Sequence, residues 1–141
     1  NDHGLDSDDV IHQLHDVLVG RRLSIPDELR EELLDALAEC ENVVIKLGGM
    51  GMPIMGFNWH LRDVPVGSDE LAHDMEPFIT YCIEKFGTSR SMFESNFPVD
   101  KVSFSYHVMY NAFKRIAKDY SASEKADMFH DVATRVYRIE L

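Results

Sequence analysis

Two segments, 43-VVIKLGGMG-51 and 91-SMFESNFPVD-100, decide the fold. Each begins with apolar residues and then passes into a loop marked by glycine or proline, which is typical of a buried strand that ends at a loop. A helix-length segment lies between them, and strands that are joined by a helical crossover are normally parallel neighbours. We therefore expect an α/β protein in which these two strands end side by side.

Apolar residues around the strands recur at three- and four-residue spacing, which predicts amphipathic helices. These helices are predicted over residues 26–40, 68–87, 102–119 and from 121 onward. Ser68 is expected to be an N-cap, and Ser121 and Glu124 have the spacing of a capping box. Pro77 is expected to kink the second of these helices because it lacks a backbone donor.

The charge balance argues against several classes of partner. The chain of 141 residues has 14 Lys and Arg against 25 Asp and Glu, a formal charge of -11, so a phosphate backbone would be repelled. No apolar run has the roughly 18 residues that a membrane span needs. Both cysteines, Cys40 and Cys82, lie in predicted helices and indicate no disulfide framework. We expect a cytoplasmic protein that binds a small molecule, with no nucleic acid and no membrane as partner.

Four segments of the sequence, in this order, resemble a known family. They are 42-NVVIKLGGMGM-52, 92-MFESNFPVDK-101, 110-YNAFKR-115 and 133-ATRVY-137. Together they closely resemble the amidohydrolase-related family, in the branch that includes the 2-pyrone-4,6-dicarboxylate lactonases and related metal-dependent hydrolases. The resemblance covers residues 27–141. It implies a distorted TIM-like (β/α)₈ barrel with parallel strands and outer helices, whose seventh and eighth strands would be the two segments above.

The length limits how much of such a barrel this chain contains. A closed barrel takes about 250 residues and rarely fewer than 200, so residues 26–141 would be its C-terminal β/α units. The other units lie on sequence outside this chain, or the chain associates with another copy as a homo-oligomer. Residues 1–25 begin without Met and are expected to be a loop and the remnant of an earlier barrel strand, which could carry His12 or His15.

The resemblance also implies a reaction. Members hydrolyse cyclic esters or amides, or act as decarboxylases, with an acidic residue at the end of strand eight that activates water. That position resembles Asn96 here, and an amide cannot take a proton as a carboxylate does. Asp100 follows in the same loop and is a substitute, so Asn96 and Asp100 are the candidate catalytic residues. Each has an alternative: Asn96 could be a turn residue that bonds its own loop, and Asp100 could cap a helix that begins near Val102.

The substrate-binding candidates follow from the alternation of side chains along barrel strands. Glu94 should share the inward face with Asn96, and Lys46 sits at comparable height on the neighbouring strand, so we predict an ion pair between Lys46 and Glu94. The alternative, which we favour, is that the pair is structural, since a buried charge needs a partner. His60 and Arg62 lie in the long loop after the first strand, where an Arg suits a carboxylated substrate. A solvated loop pair is the alternative.

The implied cofactor is a divalent metal such as zinc. The family's metal-binding His-x-His motif belongs to the first strand and has no counterpart here, so its ligands would lie mainly outside this chain, and no residue of this chain is predicted to be one. Gly48, Gly49 and Gly51 either let backbone amides approach an anion or form a simple wide turn.

Two functions therefore remain open. The first is a hydrolase acting on a small, carboxylated cyclic ester or amide, for which this chain supplies late strands and loops of the pocket. The second is a catalytically silent fragment that serves as a folded interaction or dimerisation unit.

Overall fold

The computed structural model describes residues 27–140, which fall into two compact units that divide after Cys40. The predictions for residues 1–25 lie outside the described residues. In the first unit, helix α1 spans Asp27–Glu39, which confirms the predicted helix. Leu33, one of the apolar positions that define its periodicity, is buried.

The second unit alternates strands and helices. Its elements are β1 (Ile45–Leu47), α2 (Ser68–Phe86), β2 (Ser91–Phe93), α3 (Tyr106–Ile116), α4 (Ala122–Ala126) and α5 (Val132–Tyr137). Short 3₁₀ turns lie between them, at Pro53–Met55, Trp59–Leu61, Thr88–Arg90 and Val99–Val102, and a π-helical turn at Asp127–Asp131 joins α4 to α5. None of the helices in the described part of the chain is long and apolar enough to cross a bilayer.

The two strands are parallel neighbours, as predicted. Ile45 pairs with Ser91 and Leu47 pairs with Phe93. Each strand has three residues, fewer than the apolar runs suggest. The last backbone hydrogen bond between the two segments runs from the Glu94 amide to the Leu47 carbonyl, at 3.3 Å. The sheet of the described residues is this pair of strands, so the chain by itself shows a mixed α/β unit and not a closed barrel.

Helix α2 is a single helix of 19 residues that continues across Pro77. Ser68 is its first residue and not its N-cap, so that prediction is wrong. Gly67 occupies the N-cap position without a side chain to cap it. The Ser68 hydroxyl instead accepts a hydrogen bond from Nε of Arg115 in α3, at 3.1 Å.

Helix α3 begins four residues later than predicted. Ser105 is its N-cap, and its hydroxyl accepts a hydrogen bond from the Val108 amide. Residues Val99–Val102 form a separate 3₁₀ turn. The capping box predicted for α4 is confirmed, since Ser121 and Glu124 bond each other's backbone amides.

The core lies between the sheet and helices α2 and α3. Phe93 of β2 stacks on Phe113 with ring centroids 4.5 Å apart. Its ring also contacts that of Phe129 in the π-helical turn, with centroids 4.6 Å apart. The long loop after β1 is fixed to this core by Trp59, which is 4% exposed and donates from Nε1 to Asp74 of α2. A buried large apolar side chain contributes about 1.5–3 kcal/mol, so this anchor fixes the loop against α2.

Candidate active site

The loops that follow β1 and β2 meet in close contact, and glycine is what permits it. A Cβ on Gly48 would lie 2.4 Å from the carbonyl oxygen of Glu94, which is far inside van der Waals contact. The loop of one strand therefore passes directly against the backbone of the next. The wide-turn interpretation of these glycines is incomplete, because they also allow two strand ends to approach each other.

Gly51 is held more specifically. Its amide donates to Oδ2 of Asp100 at 3.0 Å, and its carbonyl accepts from the Ser103 hydroxyl at 2.5 Å. A Cβ here would meet Cγ of Asp100 and the ring of Phe104, both at 2.7 Å. Both backbone polar groups of Gly51, its N–H and its C=O, are thus bonded by side chains of the second loop.

The predicted ion pair between Lys46 and Glu94 is present. Nζ of Lys46 lies 2.6 Å from Oε2 of Glu94, with 48% and 26% of the two side chains exposed. The hydrogen bond to Glu94 raises the pKa of Lys46, so the lysine is a cation at neutral pH. This places one positive and one negative group at the carboxyl ends of adjacent strands.

Asn96 and Asp100 form a second pair beside the first. Asn96 has a left-handed backbone, with φ of 52°, and its Nδ2 donates to Oδ1 of Asp100 at 2.6 Å. The alternative that Asn96 bonds its own loop therefore describes one of its contacts. The alternative that Asp100 caps a helix is wrong, because Ser105 is the N-cap of α3.

The carboxyl of Asp100 is fully buried. Burial raises its pKa, while the donors from Asn96 and Gly51 lower it, and the first effect is the larger. Because each of its oxygens accepts a hydrogen bond from the protein, Asp100 presents neither oxygen freely to a ligand in this arrangement.

Two tyrosines near Glu94 were not anticipated. Burial raises the pKa of Tyr110 to about 12, with further contributions from a hydrogen bond with Tyr106 and from the charge of Glu94. Their rings lie 4.7 Å apart, and Phe97 packs edge-on against Tyr106. The signal in the sequence is the spacing of Tyr106 and Tyr110, which are four apart and therefore share one face of α3.

His60 and Arg62 do not join this cluster. Arg62 forms an ion pair with Glu70 of α2, with Nη1 and Oε1 2.7 Å apart. His60 has a buried Nδ1 that meets no hydrogen-bond partner among residues 27–140. Their predicted contact with substrate stays a prediction.

Within residues 27–140, no three His, Cys, Asp or Glu side chains converge so that they could hold a metal ion. The buried carboxylate of Asp100 already accepts hydrogen bonds from the Gly51 amide and the Asn96 side chain. This part of the chain therefore does not form a metal site on its own.

Comparison with known proteins identifies the family. The family model described as amidohydrolase matches residues 26–139, so the chain belongs to the amidohydrolase family. It is also 38% identical over 106 residues to the uncharacterized protein y4mH of Sinorhizobium fredii (strain NBRC 101917 / NGR234). That match covers 75% of this chain and 31% of the relative.

Two solved structures of an amidohydrolase from Burkholderia multivorans share this fold. Each is 25% identical, has a TM-score of 0.66 and is matched by 78% of this chain. One contains bound HEPES and the other bound zinc. This chain spans 36% and 37% of those two chains, so it corresponds to about a third of the length of the relatives it matches.

Proposed function

We propose that this chain is the C-terminal β/α portion of a hydrolase, and that the hydrolase opens a small, carboxylated cyclic ester or amide. The parallel pair β1 and β2 would be the seventh and eighth strands of a TIM-like barrel. In such barrels the catalytic groups come from the carboxyl ends of several strands. We propose further that this hydrolase belongs to the lactonase-like branch of the amidohydrolase family.

One observation carries the proposal: the Lys46–Glu94 ion pair lies at two adjacent parallel strands, and Oε1 of Glu94 and Nδ2 of Asn96 both lie within 4.0 Å of a Cβ built on Gly49. A cation, a carboxylate and an amide at neighbouring strand ends can polarise a carbonyl and orient water, which is what acyl hydrolysis requires. Lys46 is half exposed and keeps donors beyond its bond to Glu94, so it is the natural partner for a substrate carboxylate.

The cofactor in this proposal is a divalent metal such as zinc. The zinc that is bound by the Burkholderia multivorans amidohydrolase supports it. Its ligands would come mainly from sequence outside residues 27–140. When bound, the metal would supply Lewis-acid activation of a carbonyl or a water. The net charge of -11 supports a small-molecule partner rather than a nucleic acid.

The test is a hydrolysis screen on the full-length protein that contains this chain. The panel would include 2-pyrone-4,6-dicarboxylate, the uncarboxylated lactone dihydrocoumarin and a cyclic amide, each with added zinc and after chelation. We expect the carboxylated lactone to be opened fastest, and we expect Lys46→Met to raise KM for it more than for dihydrocoumarin. If every compound were untouched, the catalytically silent interaction unit would be the better description.

A further inference from the structure

The two carboxylates of the site differ in what they can reach. Asp100 is fully buried, and its oxygens accept from the Gly51 amide and from Nδ2 of Asn96. Glu94 has a side chain that is 26% exposed, and it meets Lys46 through Oε2. Its Oε1 is therefore the carboxylate oxygen of the site that stands outside the ion pair.

Gly49 shows what that oxygen faces. It has a φ of +79°, and a Cβ there would lie 4.0 Å from Oε1 of Glu94 and 3.8 Å from Nδ2 of Asn96. The methyl carbon of Met52 lies at 3.8 Å from the same point, and all three are ordinary contact distances. A carboxylate oxygen and an amide donor therefore both lie beside Gly49.

Asp100 determines how the Asn96 amide is turned. An ionised carboxylate only accepts hydrogen bonds, so the NH₂ group of Asn96 must face it. One hydrogen of that NH₂ group is used at Asp100, and the same nitrogen lies on the side of Gly49 where Oε1 of Glu94 also lies. Asp100 thus acts on the site through Asn96 and Gly51.

From this geometry we propose that Glu94 is the general base of the hydrolase and that Asp100 is a positioning residue. The proposal rests on the hydrolase function proposed above. Oε1 of Glu94 accepts one proton from water as the water oxygen bonds to the substrate carbonyl carbon. When the ring C–O or C–N bond breaks, the leaving oxygen or nitrogen takes that proton from Glu94, which regenerates the carboxylate and yields the open-chain acid.

The first experiment compares three variants of the full-length protein with 2-pyrone-4,6-dicarboxylate as the probe. Loss of a general base lowers the rate by about 10²- to 10⁴-fold, which we expect of kcat for Glu94→Gln. The acid limb of the pH profile of kcat/KM should disappear in Glu94→Gln. In Asp100→Asn the value of kcat/KM should fall, but the acid limb of the profile should remain. Glu84→Gln, on the exposed face of α2, is the matched control and should behave as wild type.

A second experiment separates chemistry from folding. In Glu94→Ala a space remains at a partly exposed position, so added formate should restore activity in a saturable manner. In Asp100→Ala the lost carboxylate was fully buried and held two loops, so formate should restore nothing. Thermal melting of each variant shows whether it is folded under the assay conditions.

The outcomes distinguish the two proposals. If wild type opens the probe while Glu94→Gln keeps more than a tenth of its kcat, or if formate rescues Asp100→Ala and not Glu94→Ala, Glu94 is not the base and the hydrolase proposal stands. If wild type opens none of the lactones or amides, the hydrolase proposal falls and takes this inference with it.

Discussion

Gly48 is the residue at which the contact between the two loops is tightest. A Cβ would lie 2.4 Å from the carbonyl oxygen of Glu94, and that atom belongs to the backbone and cannot rotate away. Overpacking of this kind costs roughly 1–3 kcal/mol and sometimes more. We expect Gly48→Ala to lower the free energy of unfolding by about 3 kcal/mol, measured by urea denaturation.

Gly56 offers the matched control. Its φ of +83° is strained for any L-residue, but a Cβ there would meet no atom within 4 Å. Gly56→Ala should therefore lose only about 1 kcal/mol, the cost of a left-handed backbone. A loss in Gly48→Ala no larger than that in Gly56→Ala would contradict the predicted clash with the Glu94 backbone.

Asp100→Asn tests the buried carboxyl. An amide has one acceptor where the carboxylate has two, so either Gly51 or Asn96 would face a second donor. An unsatisfied buried donor costs about 1–3 kcal/mol, and we expect that loss of unfolding free energy at neutral pH. Asp119→Asn, at an exposed carboxylate, should change nothing measurable.

The pH dependence of the same residue has a definite sign. Burial raises the pKa of Asp100 above its ordinary value of 3.8, so the folded state holds the proton more tightly than the unfolded state does. Stability from this group is complete below pH 3.8 and is lost as the pH rises through the folded pKa. The stability difference between wild type and Asp100→Asn should therefore shrink as the pH is raised from acid toward neutral, in melts recorded across that range.

At this scale the sequence supports some predictions and not others. The pairing of Lys46 with Glu94 could be predicted because alternation along two neighbouring strands is a local rule. The bond between Gly51 and Asp100 could not, since it joins residues 49 apart whose loops have no regular period. Asp100, which its position in the sequence made a candidate base, thus already accepts a hydrogen bond at each carboxylate oxygen.

At the scale of elements, the Lys46 and Glu94 pair links β1 to β2. Its distance of 2.6 Å is short, but Lys46 is 48% exposed, and solvent screens such pairs. A double-mutant cycle with Lys46→Met and Glu94→Gln should give a coupling free energy below about 1 kcal/mol. A coupling several times larger would favour the structural explanation of the pair over the functional one.

The start of α4 depends on its capping box. Ser121 accepts from the Glu124 amide, and the carboxylate of Glu124 accepts from the Ser121 amide. Ser121→Ala should lower the free energy of unfolding by about 1 kcal/mol, whereas Ser121→Asp keeps an N-cap acceptor and should lose much less. Equilibrium denaturation of the two variants decides whether the cap stabilises the helix.

The helices and strands also show where periodicity is informative. Apolar spacing located α1, α2 and α3 because each buries one face, and Ser121 with Glu124 located α4. The start of α3 was misplaced because the spacing cannot distinguish a 3₁₀ turn at Val99–Val102 from the first turn of the helix. The strands were overestimated because strand length depends on a partner strand, which lies elsewhere in the sequence.

The second unit carries much exposed apolar surface at the scale of the whole molecule. The large apolar side chains that are more than half exposed are Ile54, Leu61, Val64, Val99, Val102, Tyr106 and Tyr137. Such surface favours association, while the net charge of -11 opposes it between identical chains. We expect the weight-average mass of the 141-residue chain in sedimentation to increase when salt is raised to roughly 0.5 M, which screens the repulsion. A mass that is independent of salt would contradict this.

The two hydrogen bonds of Gly51, one from its amide and one to its carbonyl, have a consequence for the design of chimeras between members of this family. Its amide and its carbonyl both belong to a bonding pattern that the Asp100 and Ser103 side chains complete. A chimera that imports residues 48–52 from a relative without residues 96–104 would bring half of that pattern. The two loops therefore form a single unit of exchange, and libraries that aim at new specificity should vary them together.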